Sequence, residues 1–455
     1  MSLFEITENR VKLCGVTLLK IKTHKKCFLY KFLGIPVWRQ FSKIGQLVHK
    51  FKTNTDFDMR KFDEEISSLI KVGKISKSKL AQDKVSYLAS ELYDMGGHSK
   101  CIRDLSKSLV GIYKQKLFLT RNSGTYKYAR NLVSNISSYM DIESTDFSYF
   151  NFEKQVKAFA EKIIDYAPKA IMIYIHPDDA FGTAVLSYLK RTTKIKLMFF
   201  NHASHFPNLG MTFADIILEG MPTTVKVTHE KRHLYNTKII GLQSQAKEET
   251  VYYSKKELDK LKKQMGAEND CQITMSGGSA YKFFDKDESS EYFEMILRLL
   301  QKEHNLYHVV ISELNKTQEE IIDRIFSRNP KSKKRLIFIP YQTNFDKYFQ
   351  CADVFIDSFP VSSALTQIDL MRNKVASVVK INKKTPEYSF HEYQMADYPY
   401  MFENVADMEN AIIELLHDNK KRQEIIAKNY EFWLNTYESR LFCDRVKSVI
   451  EEKNV

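Results

Sequence analysis

The six cysteines of this 455-residue chain, Cys14, Cys27, Cys101, Cys271, Cys351 and Cys443, are scattered, with no CxxC pair and no Cys/His ligand spacing. That argues against a zinc-ligand or disulfide framework and reads as reduced cytosolic thiols. No apolar run approaches the roughly 20 residues needed to span a bilayer, and no signal peptide opens the chain. The expectation is a protein working on the cytoplasmic side. Internal repeats and low-complexity tracts are also lacking. Between Val11 and Lys52 there are few acids.

What is present fits a soluble globular protein of two or three domains, with 43% hydrophobic and 27% charged residues. The net charge of +13 favours phosphate-bearing or anionic-surface partners, although solvated Lys-rich helices account for much of it in the C-terminal half. Residues 1–79 stand apart. There Lys20, Lys22, Lys25, Lys26, Lys31, Arg39 and Lys43 interleave with Phe28, Tyr30, Phe32 and Trp38. This pattern suits docking on the inner face of an anionic membrane, or a basic hairpin packed on the main body. FDEEISSLIKVGKISKSKL then reads as a polar, partly helical connector.

From residue 80 onward, strands and helices alternate as in a parallel α/β sheet. VSYLAS reads as a strand, LYDMGGH as a turn, and Ser99 onward as an amphipathic helix with Cys101, Ile102, Leu105 and Leu109 on one face. Gly96 and Gly97 allow close backbone approach at that strand's carboxyl end, where open α/β sheets bind ligands, and this puts His98 beside a substrate. The strand KLMFF brings His202 and His205 to another carboxyl end, as substrate contacts or as a structural pair, with no further metal ligand patterned nearby. In HPDD, Asp178 and Asp179 read as local caps.

A composition shift near Gly241 to Glu248 marks a domain boundary. The expected division is residues 80–240, residues 241–430 and a C-terminal helix at 431–455 packing back on the first domain. In the second domain CQITM leads into the small-residue loop SGGSAYK, with Lys282 at its end. LIFI and VFIDSF are apolar runs suited to buried strands. After them Ser362, Ser363 and Thr366 gather at a helix start, with Asp369 about one turn further in. Hydroxyls and free N–H groups at a positive helix end make an anion site, and an acid one turn on can accept from a ribose hydroxyl, so a nucleoside diphosphate is the expected ligand. A helix merely capped by Ser or Thr is the plainer alternative.

Two Rossmann-like domains in series, with these loops, resemble the GT-B glycosyltransferases. More narrowly, VSYLASELYDMGGH, SGGSAYKFF, MFFNHASHFPNLGMTFADIILEG and IPYQTNFDKYFQCADVFIDSFPVSSALTQID resemble the O-GlcNAc transferases and bacterial adhesin N-glycosyltransferases over about residues 80–400. The resemblance implies two domains facing across a cleft, an active-site histidine at His98 and a donor-diphosphate lysine at Lys282. It also implies uridine-loop contacts at Tyr341 and Gln342, a phosphate contact at Thr366 and a ribose contact at Asp369. Ser362, Ser363, Ala364 and Leu365 replace the family's Asn-Gly-His-Thr part, Ser279 replaces Gln, and no tetratricopeptide repeat precedes the region.

The expected activity is transfer of a sugar, UDP-linked, to a glycan or lipid-linked acceptor in bacterial surface polysaccharide or lipooligosaccharide assembly, or to a protein. No cofactor, metal or nucleic acid is expected, because no DxD pair stands in place and Lys282 with the helix dipole would stabilise the leaving diphosphate. A silent GT-B partner subunit and a nucleotide-sugar epimerase are the other readings.

Overall fold

The computed structural model describes residues 4–452 apart from 8–9, 14–15, 24–26, 33–34, 42, 73–78, 95–96, 122–128, 148–150, 269, 286–288, 328, 343, 386–387 and 390; for residues 4–41 it describes the backbone alone. The chain divides into two compact units. One comprises Met1–Glu219, Val225–Lys238 and Val449–Val455, and the other Gly220–Thr224 and Ile239–Ser448.

The basic amino-terminal segment forms a five-stranded antiparallel meander, where the sequence suggested at most a hairpin. Its strands are β1 (Phe4–Thr7), β2 (Arg10–Leu13), β3 (Val16–Thr23), β4 (Cys27–Phe32) and β5 (Ile35–Phe41), paired in chain order. Register sets Ile21 opposite Tyr30 and Tyr30 opposite Trp38, and it sets Lys20 opposite Lys31 and Leu29 opposite Arg39. Directly opposed residues share a face of a sheet, so Ile21, Tyr30 and Trp38 fall on one face and Lys20, Lys31 and Arg39 on the other, with Leu29 among the basic positions.

The next stretch is partly helical, as the sequence suggested from Phe62 onward, but it packs into the core where a polar connector was expected. Lys43–Phe51 and Arg60–Ser68 are helices, and Ile44, Val48, Phe51, Met59, Ile66 and Ile70 join the hydrophobic core of the first unit. Apolar residues at helical spacing do this despite the Lys and Glu between them. Asp63, 1% exposed, accepts from the Gly210 N–H at 2.8 Å and the Thr212 hydroxyl at 2.6 Å. Burial pushes this carboxyl up to about 7, against those hydrogen bonds.

The first unit carries a seven-stranded sheet of β6 (Ala81–Ala89), β7 (Lys114–Leu119), β8 (Asp141–Ser144), β9 (Pro168–Tyr174), β10 (Lys196–Phe200), β11 (Ile216–Glu219) and β12 (Thr237–Ile239). Its spatial order is β12-β11-β10-β9-β6-β7-β8, and the pairings from β8 through β11 are parallel. The chain starts in the middle, runs to one edge, then returns past β6 to β9, which makes the β6/β9 boundary the topological switch point.

The second unit repeats the plan with β13 (Gln272–Gly277), β14 (Leu306–Ile311), β15 (Leu336–Ile339), β16 (Val354–Ile356), β17 (Ala376–Lys380) and β18 (Met401–Phe402), in the order β15-β14-β13-β16-β17-β18. Here the switch point lies between β13 and β16. Both faces of the sheet are covered, because Leu306 and Val310 enter one core cluster while Tyr307, Val309 and Ile311 enter another. That double burial is why the strands read as unbroken apolar runs. At the carboxyl-terminal end of this unit Trp433 is fully buried and donates from Nε1 to Ser244 Oγ at 3.0 Å.

Candidate functional site

In the second unit the residues singled out from the sequence gather at the switch point. β13 ends at Gly277, and Gly278 follows with φ +151°, where a Cβ would lie 3.3 Å from Ser363 Oγ and 3.4 Å from Lys282 Cδ. A side chain there would be strained and would crowd the lysine. The short helix Ala280–Phe283 then turns half-buried Lys282 so that Nζ donates to the Ser362 carbonyl and to Ser363 Oγ, both at 3.0 Å. Burial lowers the lysine to about 8, and the nearby Asp357 charge opposes the shift.

β16 ends at Ile356, so the carboxyl half of VFIDSF is loop where the sequence suggested strand. Asp357, with no exposed surface, accepts from the N–H groups of Ser358 at 2.9 Å and Ser363 at 3.2 Å and from the Ser362 hydroxyl. A carboxylate taking those donors folds the following residues back on themselves, and the strand cannot continue. Ser358 Oγ donates to the Val361 carbonyl at 2.7 Å.

The first bond of the helix Ala364–Arg372 runs from the Gln367 N–H to the Ser363 carbonyl. The N–H groups of Ala364, Leu365 and Thr366 therefore stand ahead of it at the positive end. Asp369 lies within the same helix, and Arg372 Nη2 approaches its Oδ1 at 3.5 Å. The stronger partner of Arg372 is Asp346, bound in fork fashion at 2.8 and 2.6 Å, and Asn373 also donates to Asp346 at 2.9 Å. From the loop after β15, Tyr341 OH donates to the Gly278 carbonyl at 3.4 Å. Gln342 donates to the Pro340 carbonyl and accepts from Tyr348. Lys282, Ser362, Ser363 and the helix end are thus joined by direct contacts, Tyr341 reaches the neighbouring Gly278, and Thr366 and Asp369 follow on the helix.

The first unit gathers a different set at its own switch point. Gly96 lies outside the described residues, and Gly97 opens the helix Gly97–Ser108 that carries His98. Nε2 of His98 bonds the Glu91 carbonyl at 2.9 Å. A carbonyl only accepts, so this nitrogen carries the proton and Nδ1 keeps its lone pair. His176, from the loop after β9, packs at 5.0 Å centroid distance from His98 and stacks on Tyr93 at 5.9 Å; His202, after β10, lies 5.6 Å from His98. His205 packs on Phe206 at 4.2 Å. His176 Nδ1 faces the Glu91 carboxylate at 3.8 Å.

Burial lowers all three clustered histidines. His176 falls to about 4 and His202 to about 3, each helped by its histidine neighbours, while the Glu91 carbonyl bond works against the shift of His98. All three are neutral at pH 7. Among the described residues no group of His, Cys, Asp or Glu is placed to hold a metal ion. Asp179 caps the helix Ala180–Thr192 through the Gly182 N–H and receives the Ser90 and Thr120 hydroxyls, and Asp178 pairs with Arg121 at 2.9 Å.

Asp357, the Asp346–Arg372 pair, Glu91, Tyr93 and His176 were not among the site residues read from the sequence. Asp357 hid inside an apparent strand; a buried-strand run that takes on Asp-Ser is the available signal. The others are brought together from 26 to 85 residues apart, and local pattern does not encode such pairs.

No family model and no curated protein matches the chain by sequence. Solved structures do match by fold. A glycosyltransferase from Rickettsia africae superposes with a TM-score of 0.64 at 11% identity, over 82% of this chain and 98% of its own. The Anabaena HepE protein, in complex with UDP and glucose, gives 0.63 at 12% over 81% and 100%. The O-GlcNAc transferase of Thermobaculum terrenum, the narrower resemblance, gives 0.54 at 10% over 90% and 78%. At such identities the likeness is one of architecture, and the chain has the GT-B fold of two Rossmann-like units in series.

Proposed function

We propose that the chain is a glycosyltransferase that takes a sugar from a nucleoside diphosphate, a UDP-sugar, and delivers it to a glycan or lipid-linked acceptor of bacterial surface polysaccharide or lipooligosaccharide assembly. The carrying observation is the ammonium of Lys282 set against Ser362 and Ser363 at the open end of a helix, on the switch point of the second unit. The Lys282 cation and the N–H groups of Ala364, Leu365 and Thr366 at the helix start suit a diphosphate, the Ser362 and Ser363 side chains seat the loop that holds them, and Asp369 one turn on offers a carboxylate to a ribose.

As the glycosidic bond breaks, charge gathers on the leaving diphosphate. Lys282 and the helix dipole stabilise it without a metal. In the first unit His98 is the active-site residue: a neutral imidazole with one nitrogen committed to a carbonyl keeps the other able to accept a proton or a hydroxyl. His202, and with it His176, contact acceptor or sugar. HepE is described with UDP and glucose, which supports a uridine donor.

The test is consumption of UDP-sugars with and without acceptor. Transferase activity requires the acceptor for sustained turnover. Interconversion of sugars without one indicates an epimerase, and no consumption under either condition indicates a silent partner subunit. A protein acceptor is the second reading, and it rests on the resemblance of the loop motifs to the O-GlcNAc transferases and adhesin N-glycosyltransferases.

The meander of β1–β5 supports peripheral attachment to the inner membrane face, because its register separates Tyr30 and Trp38 from Lys20 and Lys31. Among the described residues no helix is long and apolar enough to cross a membrane.

A further inference from the structure

This inference rests on the donor reading above and concerns a residue that touches the donor site from behind. Asp357 has no exposed surface, so it is not a surface ligand for anything. Its two carboxylate oxygens take the Ser358 N–H, the Ser363 N–H and the Ser362 hydroxyl, three donors from the loop that leads into the phosphate-facing helix. The Lys282 ammonium grips the other side of the same loop at the Ser362 carbonyl and Ser363 Oγ. An ammonium has three N–H groups, so two are used to seat the lysine and the third is left for a ligand oxygen. We propose that Asp357 is a positioning residue of the donor site: it folds the Ser358–Ser363 loop against the helix end and supplies the counter-charge for the Lys282 ammonium.

Lys282 is the cation facing Asp357, with the phenol of Tyr292 and the neutral Ser362, Gln367 and Ser363 also around it; burial pushes the Asp357 carboxyl up, and the Ser362 hydroxyl and the lysine charge oppose that shift. Burial draws Lys282 down to about 8, and Asp357 is the charge that opposes it. Without that charge the lysine loses its proton at a lower pH, and the phosphate contact goes with it.

UDP-glucose binding by the full chain, measured by calorimetry from pH 6 to 9, tests this for wild type, Asp357→Asn and Asp357→Ala. Wild-type affinity should fall as the pH rises through about 8. In Asp357→Asn, which keeps an acceptor oxygen, the fall should begin about one pH unit lower. Asp357→Ala strands three donors and should weaken binding at pH 7 by about tenfold or more, with Asp357→Asn recovering part of the loss. Variants that only melt earlier, with wild-type affinity and an unmoved pH midpoint, would make Asp357 a purely structural residue and overturn the proposal.

A second measurement needs no ligand. The pH dependence of Lys282 acetylation, read by mass spectrometry, should shift down in Asp357→Asn, and an unchanged midpoint also overturns the coupling. Wild type that binds no UDP-glucose at any pH would instead overturn the donor reading, while the acetylation midpoint still decides whether Asp357 and Lys282 are coupled.

Discussion

The two units place their candidate residues at equivalent points of nearly the same sheet, yet with opposite electrostatics. Each parallel sheet opens with a strand that sits at the switch point, β6 in one and β13 in the other, and each carries its candidate residues on loops and helix starts after its parallel strands. In the second unit a lysine stays cationic beside a helix end. In the first, three imidazoles are crowded and buried until none carries charge at neutral pH. The fold supplies the location, and loop composition decides what the location can hold. A polyanion suits the first arrangement, and a hydroxyl-bearing sugar or acceptor suits the second.

The largest effect should come from removing the histidine at the centre of the cluster. His98→Ala is expected to lower turnover by roughly 10² to 10⁴, the range for loss of a proton-transfer or polar active-site group, while UDP affinity stays within about twofold. Steady-state kinetics with parallel calorimetry checks it. Loss of UDP affinity in this variant would break the division of labour between the units.

Next in size is a pH effect confined to the first unit. Asp63 is raised to about 7 in the folded protein and titrates near 3.9 when unfolded. Its contribution is therefore fully present below about 4 and is lost as the pH climbs through about 7. Melting curves of wild type and Asp63→Asn should diverge in the variant's favour between pH 5 and pH 9. His176 and His202 act in the other direction: with folded values of about 4 and 3, the stability they give is present above their unfolded value and is lost as acid brings the pH down through those values. Parallel curves for wild type and Asp63→Asn would show that its carboxyl is not held as described.

The smallest effect concerns the meander. Liposomes rich in anionic lipid should co-sediment with the full chain at low salt and release it at high salt, each basic residue near the surface adding about 1 kcal/mol. A chain starting at Lys43, which keeps the core helices Lys43–Phe51 and Arg60–Ser68 and lacks only the meander, should not bind. Equal, negligible binding by both would return β1–β5 to a packing role.

Much of the architecture was legible before the structure. Runs such as VSYLAS and KLMFF announce buried strands, and the small-residue loop before Lys282 announces a strand's carboxyl end. The helix Lys43–Phe51 and the core packing of the helix Arg60–Ser68 were harder to see, because their apolar stripe is narrow and interrupted by charge. At the second switch point, local sequence pointed to Lys282, Ser362, Ser363 and the helix end because they lie within short loops. Asp357 escaped because a buried carboxylate takes its meaning from the N–H groups it receives, and those appear only once the loop folds back. Arg372 was overlooked for a similar reason: its partner Asp346 lies on another helix, 26 residues earlier.

The central claim is that the second unit holds a nucleoside diphosphate through Lys282 and the helix Ala364–Arg372. Titration of UDP into wild type, Lys282→Ala and Asp369→Ala measures it most directly. Loss of Lys282 removes a charge-assisted contact and should cost about 1.5 to 3 kcal/mol, roughly 10- to 150-fold in Kd. Asp369→Ala should also weaken binding without unfolding the unit, since Arg372 keeps its forked pairing with Asp346. Wild-type UDP affinity in both variants would contradict the account.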